Sequence, residues 1–109
     1  MKKGDICLLN LSQGIGHEQY GERPAILVSG LVNGMILVVP VTSNLKSVRF
    51  SHTISIVPSK KNNLDNDSVA LVFQLKAVDS KRVIRHIGQM DSSDSKQIDR
   101  ILKDLLILK

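Results

Sequence analysis

The chain has 109 residues, 42% hydrophobic and 23% charged, which is the make-up of an ordinary soluble globule long enough for one domain with its own core. Its single cysteine, Cys7, excludes an intrachain disulfide framework and a cysteine-rich metal site. Fifteen Lys and Arg against ten Asp and Glu leave a formal charge of +5, which favours an anionic partner such as nucleic acid.

Taken in chain order, residues 5–11 form a short apolar run that reads as a buried strand. Cys7 lies inside it, where a small buried hydrophobe is the natural role. Ser12 to Glu22 holds three glycines among polar residues and reads as a loop. Pro24 then opens a strand over Ala25 to Ser29. Asn33-Gly34 between two apolar runs is a hairpin signal. The return strand, Met35 to Val41, is apolar nearly throughout, so it should be central and buried on both faces. Ser51 to Val57 alternates like a half-buried strand, and Pro58 ends it. The polar stretch Ser59 to Asp67 reads as an exposed loop, Ser68 to Gln74 as another strand, and Val83 to Met90 as a shorter and weaker one.

The tail is helical. From Ser92 onward Ile98, Ile101, Leu102, Leu105 and Leu106 recur on one face, and Asp91 or Ser92 supplies an N-cap. Five or six short strands followed by one amphipathic helix predict a mainly β fold, a small curled sheet or barrel with the C-terminal helix packed across it. No internal repeat or linker divides the chain. No apolar run approaches the roughly 20 residues of a membrane span, and the opening lacks a signal-peptide pattern. Together with the lone cysteine, these features predict a soluble, cytoplasmic protein.

Three stretches carry a more specific signal. The first is Gly4-Asp5-Ile6 followed by Gly16-His17-Glu18-Gln19-Tyr20-Gly21-Glu22-Arg23-Pro24. The second is Val39-Pro40-Val41-Thr42-Ser43. The third is Ser68 to Gln74, followed by Val78-Asp79 and Lys81-Arg82-Val83. In this order and spacing the chain resembles the MazF/PemK toxins of type II toxin–antitoxin systems, over nearly its whole length. The resemblance implies an SH3-like, CcdB-like small barrel. It implies a sequence-specific endoribonuclease that cuts single-stranded RNA, messenger RNA included, by 2′-hydroxyl attack and without a metal or other cofactor. It also implies a homodimer, with RNA in a groove near the subunit interface, and a cognate MazE-like antitoxin whose acidic tail occupies that groove. Many relatives carry Asp or Glu immediately before the glutamine that ends the late strand; here that position is Phe73.

Cleavage by internal attack needs a proton acceptor for the 2′-hydroxyl, a partner for charge building on phosphate, and a proton donor for the leaving 5′-oxygen. Arg23 answers the second need, because its guanidinium is permanently charged and donates parallel hydrogen bonds to phosphate oxygens. Thr42, with Ser43 beside it at a strand end, can hydrogen-bond a phosphate oxygen or orient the 2′-hydroxyl. His17 is the candidate for proton transfer, since imidazole is the side chain that ordinarily exchanges a proton around neutrality. Glu18, Gln19, Tyr20 and Gln74 could order the loop or contact RNA. With three aromatics and no Trp, a platform of several stacking rings is not expected. His52 and His86, read as lying on strands without a matched motif, are taken as structural.

Metal ligation finds no His-x-x-x-His pattern or paired-acid cluster, and Gly14-Ile15-Gly16 lacks the third glycine and helix of a dinucleotide fingerprint. Two other readings compete with the nuclease. A CcdB-like gyrase poison would share the barrel and cut nothing, but its binding residues lie on the C-terminal helix, and Leu105 to Lys109 shows no such motif. A non-catalytic RNA-binding toxin remnant is the second, and Phe73 is what suggests it.

Overall fold

The computed structural model describes residues 1–108; Lys109, the end of the tail read above, lies outside the described residues. Seven strands and one helix follow in order: β1 Asp5–Asn10, β2 Glu22–Leu27, β3 Met35–Thr42, β4 Thr53–Ile56, β5 Ser68–Leu71, β6 Lys76–Asp79, β7 Val83–Gln89 and α1 Ser92–Leu105. Short 3-10 turns occupy Leu45–Arg49, Val72–Gln74 and Ser80–Arg82. The sheet path runs β4-β5-β3-β2-β1-β7, all pairs being antiparallel, and β6 lies along the first half of β3.

Alternation explains the apolar runs. Successive residues of a strand face opposite sides of its sheet, and here both sides are covered. Ile6, Ile26 and Val39 join one buried cluster, whereas their neighbours Cys7, Ala25, Leu27 and Val38 join another. The first cluster also takes Ile54, Ile56, Ala70 and Val72 from the far end of the path, so the sheet curls over onto itself as a barrel-like layer. Helix α1 closes one end: Ile98 is buried there, with Ile101, Leu102 and Leu105 packed against the same cluster.

The Asn33-Gly34 hairpin has both central residues at positive φ, 51° and 78°, the two-residue turn whose twist matches that of the strands. Val32 and Met35 close it with reciprocal backbone hydrogen bonds of 2.9 Å.

Several expectations need correction. Strand β2 starts at Glu22 rather than Ala25, which puts Arg23 within it, opposite Leu9. β3 is not covered on both faces throughout, because Met35 and Leu37 are exposed where only the thin β6 lies beside them. The strand expected over Ser68 to Gln74 ends at Leu71, and Phe73 and Gln74 sit in a tight turn. His52 lies not on a strand but at a bend with φ 59°, 2.8 Å from Asp104 of α1. β7 is as long as seven residues, since it covers the free edge of β1. Leu106 falls outside the helix as its C-cap and is half exposed.

Asp5 is the buried acid of the fold, 5% exposed. Burial pushes its carboxyl up, but hydrogen bonds from the Gln89 amide (3.0 Å) and the Lys2 backbone N–H (3.0 Å), with His86 nearby, more than offset this and hold it below its ordinary value. An acid whose folded pKa is lowered adds stability that is present above its unfolded value and lost as pH falls through the folded one. Urea midpoints should therefore fall as pH drops below about 4, and Asp5→Asn should flatten part of that fall. An unchanged slope in the variant would dismiss this role.

Candidate active site

Next to the first cluster the sheet opens into a cleft of about 340 Å³. Leu8 and Pro24, paired across β1 and β2, form part of its apolar lining. They share strand faces with Ile6 and Ile26 deeper in the sheet, so the cleft extends that core face toward solvent. Glu22 and Arg23 enter from β2, Thr42 and Ser43 from the end of β3, and Arg85 with Ile87 from β7. The segment 63–66, with Ser68 at the start of β5, completes the wall.

Within this cleft the structure brings Arg23 together with the adjacent pair Thr42 and Ser43, almost twenty positions further along the chain. The Nε of Arg23 donates to the Tyr20 carbonyl at 3.1 Å, and its guanidinium carbon lies 5.9 Å from the Tyr20 ring centre. That leaves the two terminal amino groups for an anion. Thr42 is 6% exposed, and its Oγ1 accepts the Asn44 N–H at 3.1 Å. Its own hydroxyl proton is thereby free to donate. Ser43, directly after the strand, is exposed.

The other sequence candidates lie outside the cleft lining, on or against the loop between β1 and β2. Leu11 and Ser12 pair with Gly21 at the neck of that loop through hydrogen bonds of 2.9 and 2.8 Å. Inside it the chain folds tightly, and a Cβ on Gly14 would come within 2.7 Å of the Glu18 carbonyl oxygen. Gln74 holds the loop from outside: its Oε1 accepts the Gln19 N–H at 2.9 Å and its Nε2 donates to the His17 carbonyl at 2.8 Å. The His17 side chain is exposed, as are those of Glu18 and Tyr20. Thus Gln74, Gln19 and His17 form one assembly and Arg23, Thr42 and Ser43 another, tied through the Arg23–Tyr20 hydrogen bond.

Sequence reasoning missed Arg85. A lone arginine on a weakly patterned strand gives no local signal; only the pairing of β7 with β1, Leu8 opposite Arg85, brings it to the cleft. It also missed Asn62, which is fully buried in a stretch read as exposed loop. The Asn62 Oδ1 accepts from the backbone of Ser59 and Leu64, and its Nδ2 donates to the Val57 carbonyl. Asp91, the N-cap of α1, joins this network by accepting from the Ser59 hydroxyl at 2.6 Å. The cleft wall at 63–66 is thereby fastened to the helix.

Chemically the cleft offers two guanidinium groups for phosphate, a hydroxyl donor at Thr42, and two carboxylates, Glu22 and Asp65, able to take a proton. No group of three His, Cys, Asp or Glu side chains placed to hold a metal ion occurs among the described residues. No helix among them is long and apolar enough to cross a membrane.

Comparison with known proteins identifies the family of the chain. Residues 2–106 match the model of the PemK-like, MazF-like toxins of type II toxin–antitoxin systems. Endoribonuclease MazF9 of Mycobacterium tuberculosis is 32% identical, over 94% of this chain and 93% of its own. Endoribonuclease EndoA of Bacillus subtilis is 25% identical, over 99% and 96%. The crystal structure of MazF (Form-I) from Deinococcus radiodurans has a TM-score of 0.79 at 26% identity, covering 97% of this chain and 96% of that one. At 15% identity, a mycobacterial endoribonuclease solved with its cognate antitoxin shares the fold, with a TM-score of 0.76 over 100% of this chain and 95% of that one. With a family model spanning residues 2–106, the chain belongs to the PemK-like, MazF-like toxins of type II toxin–antitoxin systems.

Proposed function

We propose that this chain is the endoribonuclease toxin of its pair, cutting single-stranded RNA by internal attack in the cleft of Arg23 and Thr42 without a metal ion. The convergence of these two residues with Arg85 in one cleft carries the reading. In the reaction the 2′-hydroxyl oxygen bonds to the adjacent phosphorus and the bond from phosphorus to the 5′-oxygen breaks. A 2′,3′-cyclic phosphate and a 5′-hydroxyl result. Arg23 and Arg85 neutralise the charge that builds on the phosphate oxygens, and the Thr42 hydroxyl donates to one of them. The 2′-hydroxyl proton passes to a base and another proton reaches the leaving 5′-oxygen. Glu22 and Asp65 are the carboxylates of the cleft available for that traffic, and His17 joins only if its loop brings the ring inward.

Two endoribonuclease relatives support the reaction class. The mycobacterial endoribonuclease solved with its antitoxin supports a cognate MazE-like inhibitor for this chain. Such a partner, with an acidic segment, would compete with RNA for the same guanidinium groups. We place the toxin in the cytoplasm, as a homodimer of single-domain subunits, on the same family ground.

The decisive experiment incubates the protein with long single-stranded RNA in EDTA and maps the product ends. Discrete cuts leaving 5′-hydroxyl ends, at least tenfold slower with Thr42→Ala, are the expected result. Intact RNA, or activity that EDTA removes, would refute the proposal.

A further inference from the structure

We infer that Arg82, which lies outside the cleft, is the residue that positions Arg23: it clamps the neck of the β1–β2 loop, and the peptide group held at that neck holds the Arg23 guanidinium. Its effect on cleavage rests on the ribonuclease reading. Lys81-Arg82-Val83 belongs to the pattern singled out in the sequence, yet these residues lie outside the cleft lining and the reaction gives them no part.

The clamp itself is one amino group. Arg82 Nη1 donates to the Asn10 carbonyl at 3.2 Å and to the Ser12 hydroxyl oxygen. The backbone beneath it is fixed on both sides. Asp79 caps the 3-10 turn by accepting the Lys81 N–H at 2.8 Å, and β7 begins at the next residue, Val83.

What the clamp holds is an uncommon conformation. Ser12 has φ 61°, which a residue with a side chain keeps only where its surroundings hold it there. Its N–H donates to the Asn10 side-chain oxygen at 2.9 Å, and its hydroxyl is the one that Arg82 grips. With the backbone so turned, the Ser12 carbonyl accepts the Gly21 N–H at 2.8 Å. Gly21 meets it at φ 73°, a conformation that glycine adopts without steric cost.

The peptide group between Tyr20 and Gly21 is the link to the cleft. Its N–H is the one that faces Ser12, and its carbonyl is the one that accepts the Arg23 Nε at 3.1 Å. A peptide group is planar, so fixing the N–H also aims the carbonyl. From Arg82 to Arg23 the path therefore runs through Ser12 and one rigid plane. Gln74 steadies the far side of the same loop, at His17 and Gln19.

Strand register adds a further consequence. Leu9 of β1 stands opposite Arg23 on one side and Val83 on the other. The turn of Arg82 thus leads straight into the row that contains Arg23, and the strand that follows carries Arg85 into the cleft. Both guanidinium groups offered to phosphate are set from this one turn, and donors aimed in advance are those that stabilise a transition state most.

The test compares Arg82→Met and Arg82→Lys with the unaltered protein. Single-turnover cleavage at saturating protein should slow roughly 5- to 30-fold with Arg82→Met. Arg82→Lys should recover little of this, because an ammonium keeps the charge but not the planar fork. In an Arg23→Ala background, Arg82→Met should slow cleavage by less than about twofold, since additivity fails for groups acting as one unit. Side-chain NMR relaxation of the Arg23 Nε–H in the free protein should show a rigid group that becomes mobile in Arg82→Met. Direct contact of Arg82 with RNA would show differently: the salt dependence of binding to uncleavable 2′-O-methyl RNA would lose about one unit of slope. That loss, independent effects of the two substitutions, or an Arg23 Nε–H equally rigid in Arg82→Met would each overturn the inference. Intact RNA together with a mobile Arg23 in Arg82→Met would uphold the clamp and remove the nuclease.

Discussion

Arg23→Ala should lower the single-turnover rate of RNA cleavage by a factor of about 100 to 1,000, by analogy with removing one preorganised donor from an oxyanion site, while the melting temperature stays nearly unchanged. The residue sits on a strand, opposite Leu9, and its Nε is held by the Tyr20 carbonyl. The guanidinium therefore meets the phosphate already oriented, and that preorganisation is what alanine removes. Its side chain is partly exposed and belongs to neither buried cluster, so little packing is lost. Arg23→Lys separates charge from shape: the ammonium keeps the cation but loses the planar fork and the Tyr20 tie. It should fall between the two, and cleavage by Arg23→Ala within a fewfold of the unaltered rate would remove Arg23 from the chemistry.

The largest loss of stability is expected from Asn62→Ala. Three backbone groups, the N–H of Ser59 and Leu64 and the carbonyl of Val57, depend on this one amide at 2.9 to 3.0 Å, in a site without solvent access. Each group left unpaired in a buried site costs about 1–3 kcal/mol, so a loss on the order of 3 kcal/mol or more follows. For a chain of this size that lowers the melting temperature by roughly 10–20 °C. Water cannot easily take the place of the amide, because β7 closes on the same backbone: a Cβ on Gly88 would lie 2.5 Å from the Asn62 carbonyl oxygen. Thermal denaturation checks the size of the effect, and a shift of only a degree or two would mean that the loop has another anchor. Since 63–66 walls the cleft, cleavage measured well below the melting range should drop as well.

What could be read from the sequence was what local pattern encodes. The Asn33-Gly34 turn, the alternation of Thr53 to Ile56 and the helical face of Ile98, Ile101, Leu102 and Leu105 all depend on neighbours within a few residues. The cluster of Arg23, Thr42 and Ser43 in one cleft was also accessible, because a motif match stood in for the missing third dimension. The four-residue strand Lys76–Asp79 was not, since one buried residue, Val78, is too few to show a period. Nor was the turn at Leu45–Arg49, where Leu45 and Val48 are apolar yet exposed. Met35 and Leu37 misled for a related reason: an unbroken apolar run does not reveal where the covering layer stops. Arg85 and the meeting of Phe50 with Phe73, ring centroids 5.8 Å apart, arise from contacts across tens of residues; Asn62 makes its hydrogen bonds within five residues, but its burial comes from β7 closing on its backbone.

The pairing of β1 with β7 has a consequence in time. The first strand of the chain shares one edge with β2 and the other with the last strand, and that last strand carries Arg85 and Ile87 into the cleft. Chains emerge from the ribosome N-terminus first, so a nascent toxin already holding Arg23 and Thr42 still lacks a wall of its cleft and the cover over β1. The cleft is complete only once β7 has been made and has paired with β1.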